Sequence, residues 1–195
     1  MRKIHVPAVA ALLAHCLGSS GWSAEQSFGW GKQELSLTLG YAQTIPVGEV
    51  IENVGYLYAA PRWGIGVTNP LGGNSWYRGN FELVAEGAYL REFTPEQGNA
   101  GGGALLVRYN FLRGEKFVPF IETGAGILSL SFHLRKQKDG KNYTGQGGFG
   151  FHYFLSNQTA FTGQWRFHHI SNGRFVRNHG INTGVILVGL SYFLN

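Results

Sequence analysis

The chain carries a histidine and a serine spaced to act as a pair. Read as an extended strand, residues 161–171 put Phe161, Gly163, Trp165, Phe167, His169 and Ser171 on one face. Thr162, Gln164, Arg166, His168 and Ile170 take the other. Two residues along a strand span about 6.6–6.8 Å, a gap that an imidazole leaning toward its neighbour can close. That is the arrangement of a general base, His169, and a nucleophile, Ser171. An isolated H-x-S carries little weight, but this one continues a row of aromatic residues and runs into Asn172-Gly173. Polar groups at the end of an apolar face are costly in hydrocarbon unless they sit at its edge or have a use. His168 and His152 fall on the opposite faces of their segments and read as polar filling, whereas His133 and His179 lie in connecting segments.

The elements that must hold the pair also alternate. Eight period-2 segments, separated by turn residues, cover roughly 33–43, 54–67, 79–91, 103–112, 118–130, 145–156, 159–171 and 183–194. Most are near the 9–11 residues that a tilted strand needs to cross a bilayer. One face is apolar and aromatic, as with Leu105, Val107, Tyr109 and Phe111, or Phe149, Phe151, Tyr153 and Leu155. The other holds small residues together with Glu82, Glu86, Arg108, Glu122, Gln146, Gln164 and Arg166, groups able to satisfy one another. A secreted soluble barrel of the lipocalin kind would alternate too, but its second face would not carry this content. The pattern predicts an all-β fold, an eight-stranded antiparallel transmembrane β-barrel of the bacterial outer membrane, with the aromatic face toward lipid. Closure leaves no strand edge unpaired in hydrocarbon. With both termini on the periplasmic side, connections 44–53, 92–102, 131–144 and 172–182 face outward, and 68–78 is long for a periplasmic turn.

Composition agrees. Of 195 residues, 30 are Gly and 14% are aromatic, while only 14% are charged, against about 25% in soluble domains. Arg2 and Lys3, an apolar run over 6–18 and small residues after it read as a signal peptide, residues 1–24, with cleavage between Ser20 and Ala24. An uncleaved anchor is the alternative. Removal takes Cys16, the single Cys, and leaves 25–195 as one barrel domain with neither a disulfide nor a Cys-based metal site. The sequence calls for no cofactor and no metal, and shows no P-loop or dinucleotide fingerprint.

The run His169-Ile170-Ser171-Asn172-Gly173, followed by Asn178-His179-Gly180-Ile181-Asn182, resembles the active-site segment of PagL-type lipid A 3-O-deacylases. The close match covers about 15 residues, and the eight-strand plan covers the rest. The resemblance implies a serine esterase that removes the ester-linked acyl chain at the 3 position of lipid A in the outer leaflet. His169 would be the base and Ser171 the nucleophile, with Asn178, aided by Asn172 or by backbone N–H groups such as that of Gly173, stabilising the oxyanion. Relatives with a described triad carry Glu where this chain has Asn182, and no Asp or Glu follows Asp139. Asn182 could orient His169 as Asn does in Cys-His-Asn proteases. On sequence alone, a Glu at this position would be expected to serve as well or better, through a charge-assisted bond. Basic residues Arg135, Lys136, Arg174 and Arg177 suit the phosphates of lipid A, or simply solvate the barrel rim. Basic residues confined to the loops of an exported barrel do not point to a nucleic acid partner. A homodimer is left open by the sequence, as is a non-catalytic barrel serving adhesion or structural integrity.

Overall fold

A computed structural model describes residues 23–47, 53–132, 134, 139–172 and 180–194. Eight strands, β1 Gln33–Thr44, β2 Gly55–Gly66, β3 Gly79–Thr94, β4 Asn99–Phe111, β5 Phe117–Ser131, β6 Gly140–Phe154, β7 Thr159–Ser171 and β8 Ile181–Leu194, follow in sequence order around a closed barrel. Every neighbouring pair is antiparallel, and closure is made by β1 on β8, from Gln33↔Leu194 to Thr44↔Thr183. No helix among the described residues is long and apolar enough to cross a membrane; the strands do the crossing.

Alternation sorts the residues as the sequence predicts. Leu105 is 73% exposed and Ile186 60%, both on the outer wall, where lipid replaces water. The inside is layered. An apolar cluster that includes Tyr56, Leu90, Leu128, Phe132, Ile170 and Leu187 closes the end at which β7 finishes. Phe28, Leu112, Val118, Phe154 and Phe193 close the other. Between them lie Arg62, Arg108 and Arg166 with Glu34, Glu82, Glu86 and Glu122, all buried. Glu122 alone receives Arg62 at 2.7 Å, Arg108 at 3.0 Å and Arg166 at 3.0 Å. His152 joins this layer, 3.3 Å from Arg108 Nη1 and 2.9 Å from Thr162 Oγ1, which agrees with its reading as filling. A barrel this narrow needs small residues inside: a Cβ at Gly148 would sit 2.1 Å from the Trp165 carbonyl oxygen.

Several strand ends differ from the sequence reading. β3 and β4 pair as far as Arg91↔Asn99, so the expected 92–102 connection shrinks to 95–98. β6 begins at Gly140, which takes Lys141 out of the loop and into the ladder opposite Ser129. β8 begins at Ile181, so Asn182 is a strand residue. The long 67–78 connection is itself ordered: Leu71 bridges Gly79, and Arg78 pairs with Glu25. Glu25 belongs to a short 3-10 turn, Ala24–Ser27, in which Ala24 is fully buried and donates its N–H to Glu115 O at 2.9 Å.

Candidate active site

His169 and Asn182 face each other across the β7–β8 ladder, both on the outer wall and both half-buried. His169 Nδ1 lies 2.6 Å from Asn182 Oδ1. The other amide atom of Asn182, Nδ2, donates to the Val47 carbonyl at 2.9 Å. A carbonyl can only accept, so it fixes which way the amide points. Oδ1 must then receive the proton of His169 Nδ1–H, and Nε2 keeps its lone pair. The hydrogen-bonded chain thus sets the tautomer a general base needs.

Ser171 ends β7 on the same face as His169, opposite Tyr143 of β6. Among the described residues, the flank of His169 away from Asn182 is bare. Its β6 partner is Gly145, where an added Cβ would meet no atom within 4 Å. The third side is covered by Gly180, at φ +66°, whose Cβ would fall 2.6 Å from His169 Cε1 and 3.4 Å from Nε2. Asn172 is buried, with neither Nδ2 nor Oδ1 hydrogen-bonded among the described residues. A buried unbonded amide costs about 1–3 kcal/mol, so such groups recur where a site holds a donor in reserve. Asn178, Gly173, Arg174 and Arg177, and likewise Arg135 and Lys136, lie outside the described residues.

Behind the pair, the inner face is tied together. His168 Nδ1–H, Tyr56 O–H and Thr183 O–H form a closed ring of donors at 2.8 Å and 2.6 Å, with Thr183 returning its proton to the His168 carbonyl at 3.2 Å. His168 and Thr183 are the ladder partners next to His169 and Asn182. The ring therefore joins β2, β7 and β8 at the height of the outward pair, a larger role than filling. Val47 and Gly180 were not legible as site residues. Val47 contributes a backbone atom, which leaves no trace in residue type. Gly180 does leave one, a Gly within the Asn178–Asn182 motif, and a positive-φ position beside the His169 ring explains it.

Lower on the same wall, β5, β6, β7 and β8 line an open apolar depression of about 500 Å³. It is lined by Phe149, Phe151, Phe161, Trp165 and Val188 around Gly163. Phe149 and Trp165 stack at 5.6 Å to form its border on the His169 side.

Comparison with known proteins gives a consistent answer. The crystal structure of the outer membrane enzyme PagL matches at a TM-score of 0.56 with 18% identity, covering 80% of this chain and 97% of that one. Neisserial surface protein A matches at 0.62 with 11% identity, over 83% and 98%. OprG from Pseudomonas aeruginosa matches at 0.50 with 12% identity, over 87% and 99%. At such identities these likenesses concern the fold. No curated protein matches the chain. The family model described as lipid A 3-O-deacylase (PagL) matches residues 49–191, a span that takes in His169, Ser171 and Asn182. By that match the chain, a barrel of the bacterial outer membrane, belongs to the PagL family of lipid A 3-O-deacylases.

Proposed function

We propose that this chain performs the family's ester hydrolysis with Ser171 as nucleophile, His169 as general base and Asn182 as the group that orients the imidazole. The observation that carries the reading is the 2.6 Å His169–Asn182 bond on the outer wall, beside Ser171. Ser171 Oγ adds to the ester carbonyl carbon at the 3 position of lipid A while His169 Nε2 takes its proton. The C–O bond to the sugar then breaks, and His169 returns the proton to the departing sugar oxygen. Water, activated by the same His169, releases the fatty acid from Ser171. Asn178, with Asn172 and the N–H of Gly173, stabilises the oxyanion in this reading. Arg135, Lys136, Arg174 and Arg177 meet the phosphates.

The geometry supports an active site at the outer leaflet. Both residues stand at the barrel end away from the termini, and the bare flank at Gly145 admits a substrate from the side. The hollow around Gly163 begins about 13 Å along β7 from His169, at Trp165, and lies where acyl chains would run. The filled lumen argues against solute passage.

The test is mass spectrometry of lipid A incubated with purified protein, its folding checked by heat-modifiability, the shift in gel migration expected when a closed barrel is heated. Ser171→Ala and His169→Asn are each expected to lower release of the 3-O-acyl chain by about a thousandfold or more. Release by folded Ser171→Ala at the wild-type rate would remove Ser171 from this role.

A further inference from the structure

Within that reading, the remaining question is why an amide stands where a carboxylate would be expected. The answer lies in the connection after β1. Ile45 donates its N–H to the Asn182 carbonyl at 3.0 Å, which carries the β1–β8 pairing one residue past the strand end. Val47 N–H then returns to the Ile45 carbonyl at 2.8 Å. This closes a three-residue γ-turn with Pro46 at its centre. The fixed φ of proline, about −65°, is close to the −75° that an inverse γ-turn wants. The turn presents the Val47 carbonyl to Asn182 Nδ2 at 2.9 Å.

We infer that residues 45–47 form a positioning strap which matches an amide, and rejects a carboxylate, at position 182. Val47 and Pro46 touch no substrate in this scheme; they act through Asn182 on His169. With Asn, the carbonyl holds the side chain in the one orientation that places Oδ1 against His169 Nδ1–H. If the amide turned over, its NH₂ would face the imidazole, Nδ1 would have to accept, and Nε2 would carry the proton and lose its basicity toward Ser171. A carboxylate of the same shape has no hydrogen for the Val47 carbonyl. Two oxygens would then oppose each other at the distance of a hydrogen bond, and the charge that should help the imidazole would be pushed off it. For a carboxylate of this length, the outcome is opposite to the one drawn from the sequence for the longer Glu, which was expected to serve as well or better.

The test is a double-mutant cycle on folded, heat-modifiable protein, with kcat and KM measured on lipid A. Pro46→Gly alone is expected to lower kcat about three- to tenfold, with KM nearly unchanged, because the amide becomes free to turn. Asn182→Asp alone is expected to lower kcat about tenfold. The double variant is expected to be more active than Asn182→Asp, since a loosened turn relieves the opposed oxygens. A merely structural role for Pro46 would lower both backgrounds by the same factor, and that result overturns the proposal. Wild-type or higher turnover in Asn182→Asp with Pro46 intact overturns it too. Ser171→Ala is run alongside. If it is inactive while the cycle shows no reversal of sign, the strap fails and the Ser–His reading stands. If it is fully active, that reading fails and the strap with it.

Discussion

Gly180 shows how much a single residue controls here. Its φ of +66° suits a residue without a side chain, and its Cα sits against the Cε1 edge of His169. A methyl group would fall 2.6 Å from Cε1, inside any normal contact, with little freedom for the ring to retreat because Nδ1 is held by Asn182. Left-handed backbone costs an alanine about 1–2 kcal/mol besides. Gly180→Ala is therefore expected to lower kcat about ten- to a hundredfold by displacing the imidazole, while the barrel still folds. Steady-state kinetics beside a heat-modifiability gel decides it; unchanged kcat would mean that the ring is not held on this edge. His169 and Ser171 were legible at this scale because strand alternation alone puts them on one face. Asn182 was legible as an orienting group only through the resemblance. Its actual partner set was not, because half of that set is the backbone of Val47.

Among the elements, the strands were readable nearly throughout, since lipid on one side and a polar lumen on the other enforce a period of 2. The ends were less so. Ile181 to Ile186 do alternate inward and outward, yet Gly180 and Asn182 are turn-forming types and hide the first residues of β8. That difference matters, because only as a ladder residue does Asn182 stand opposite His169. The start of β4 was hidden in the same way by Gly101 and Gly102, which pair in the sheet despite their type. What locks the elements to one another is Glu122. It lies on β5 and binds arginines from β2, β4 and β7, together with Gln164 Nε2 at 2.6 Å. Removing one partner of a buried ion pair costs about 3–5 kcal/mol, and here three guanidiniums lose the same acceptor. Glu122→Ala is expected to unfold at a clearly lower denaturant concentration than wild type, with Glu122→Gln between them. Equal midpoints for all three would mean that Glu34, Glu82 and Glu86 neutralise the arginines without it.

At the scale of the whole molecule, the barrel turns the usual plan of an enzyme inside out. Its centre is filled by ion pairs and sealed by apolar side chains at both ends, and the reacting groups of the proposed site stand on the convex outer wall. A substrate therefore never enters the protein; it arrives by lateral diffusion within the leaflet, and the released fatty acid leaves the same way. Collisions are counted in two dimensions. The quantity that governs the rate is then the mole fraction of lipid A at the surface, not its amount per litre. At fixed bulk lipid A, adding inert phospholipid or detergent should slow turnover in proportion to the added surface, whereas diluting the whole suspension with buffer should leave the rate per enzyme molecule almost unchanged. A rate that follows bulk concentration instead would mean that monomeric lipid A reaches His169 and Ser171 from water.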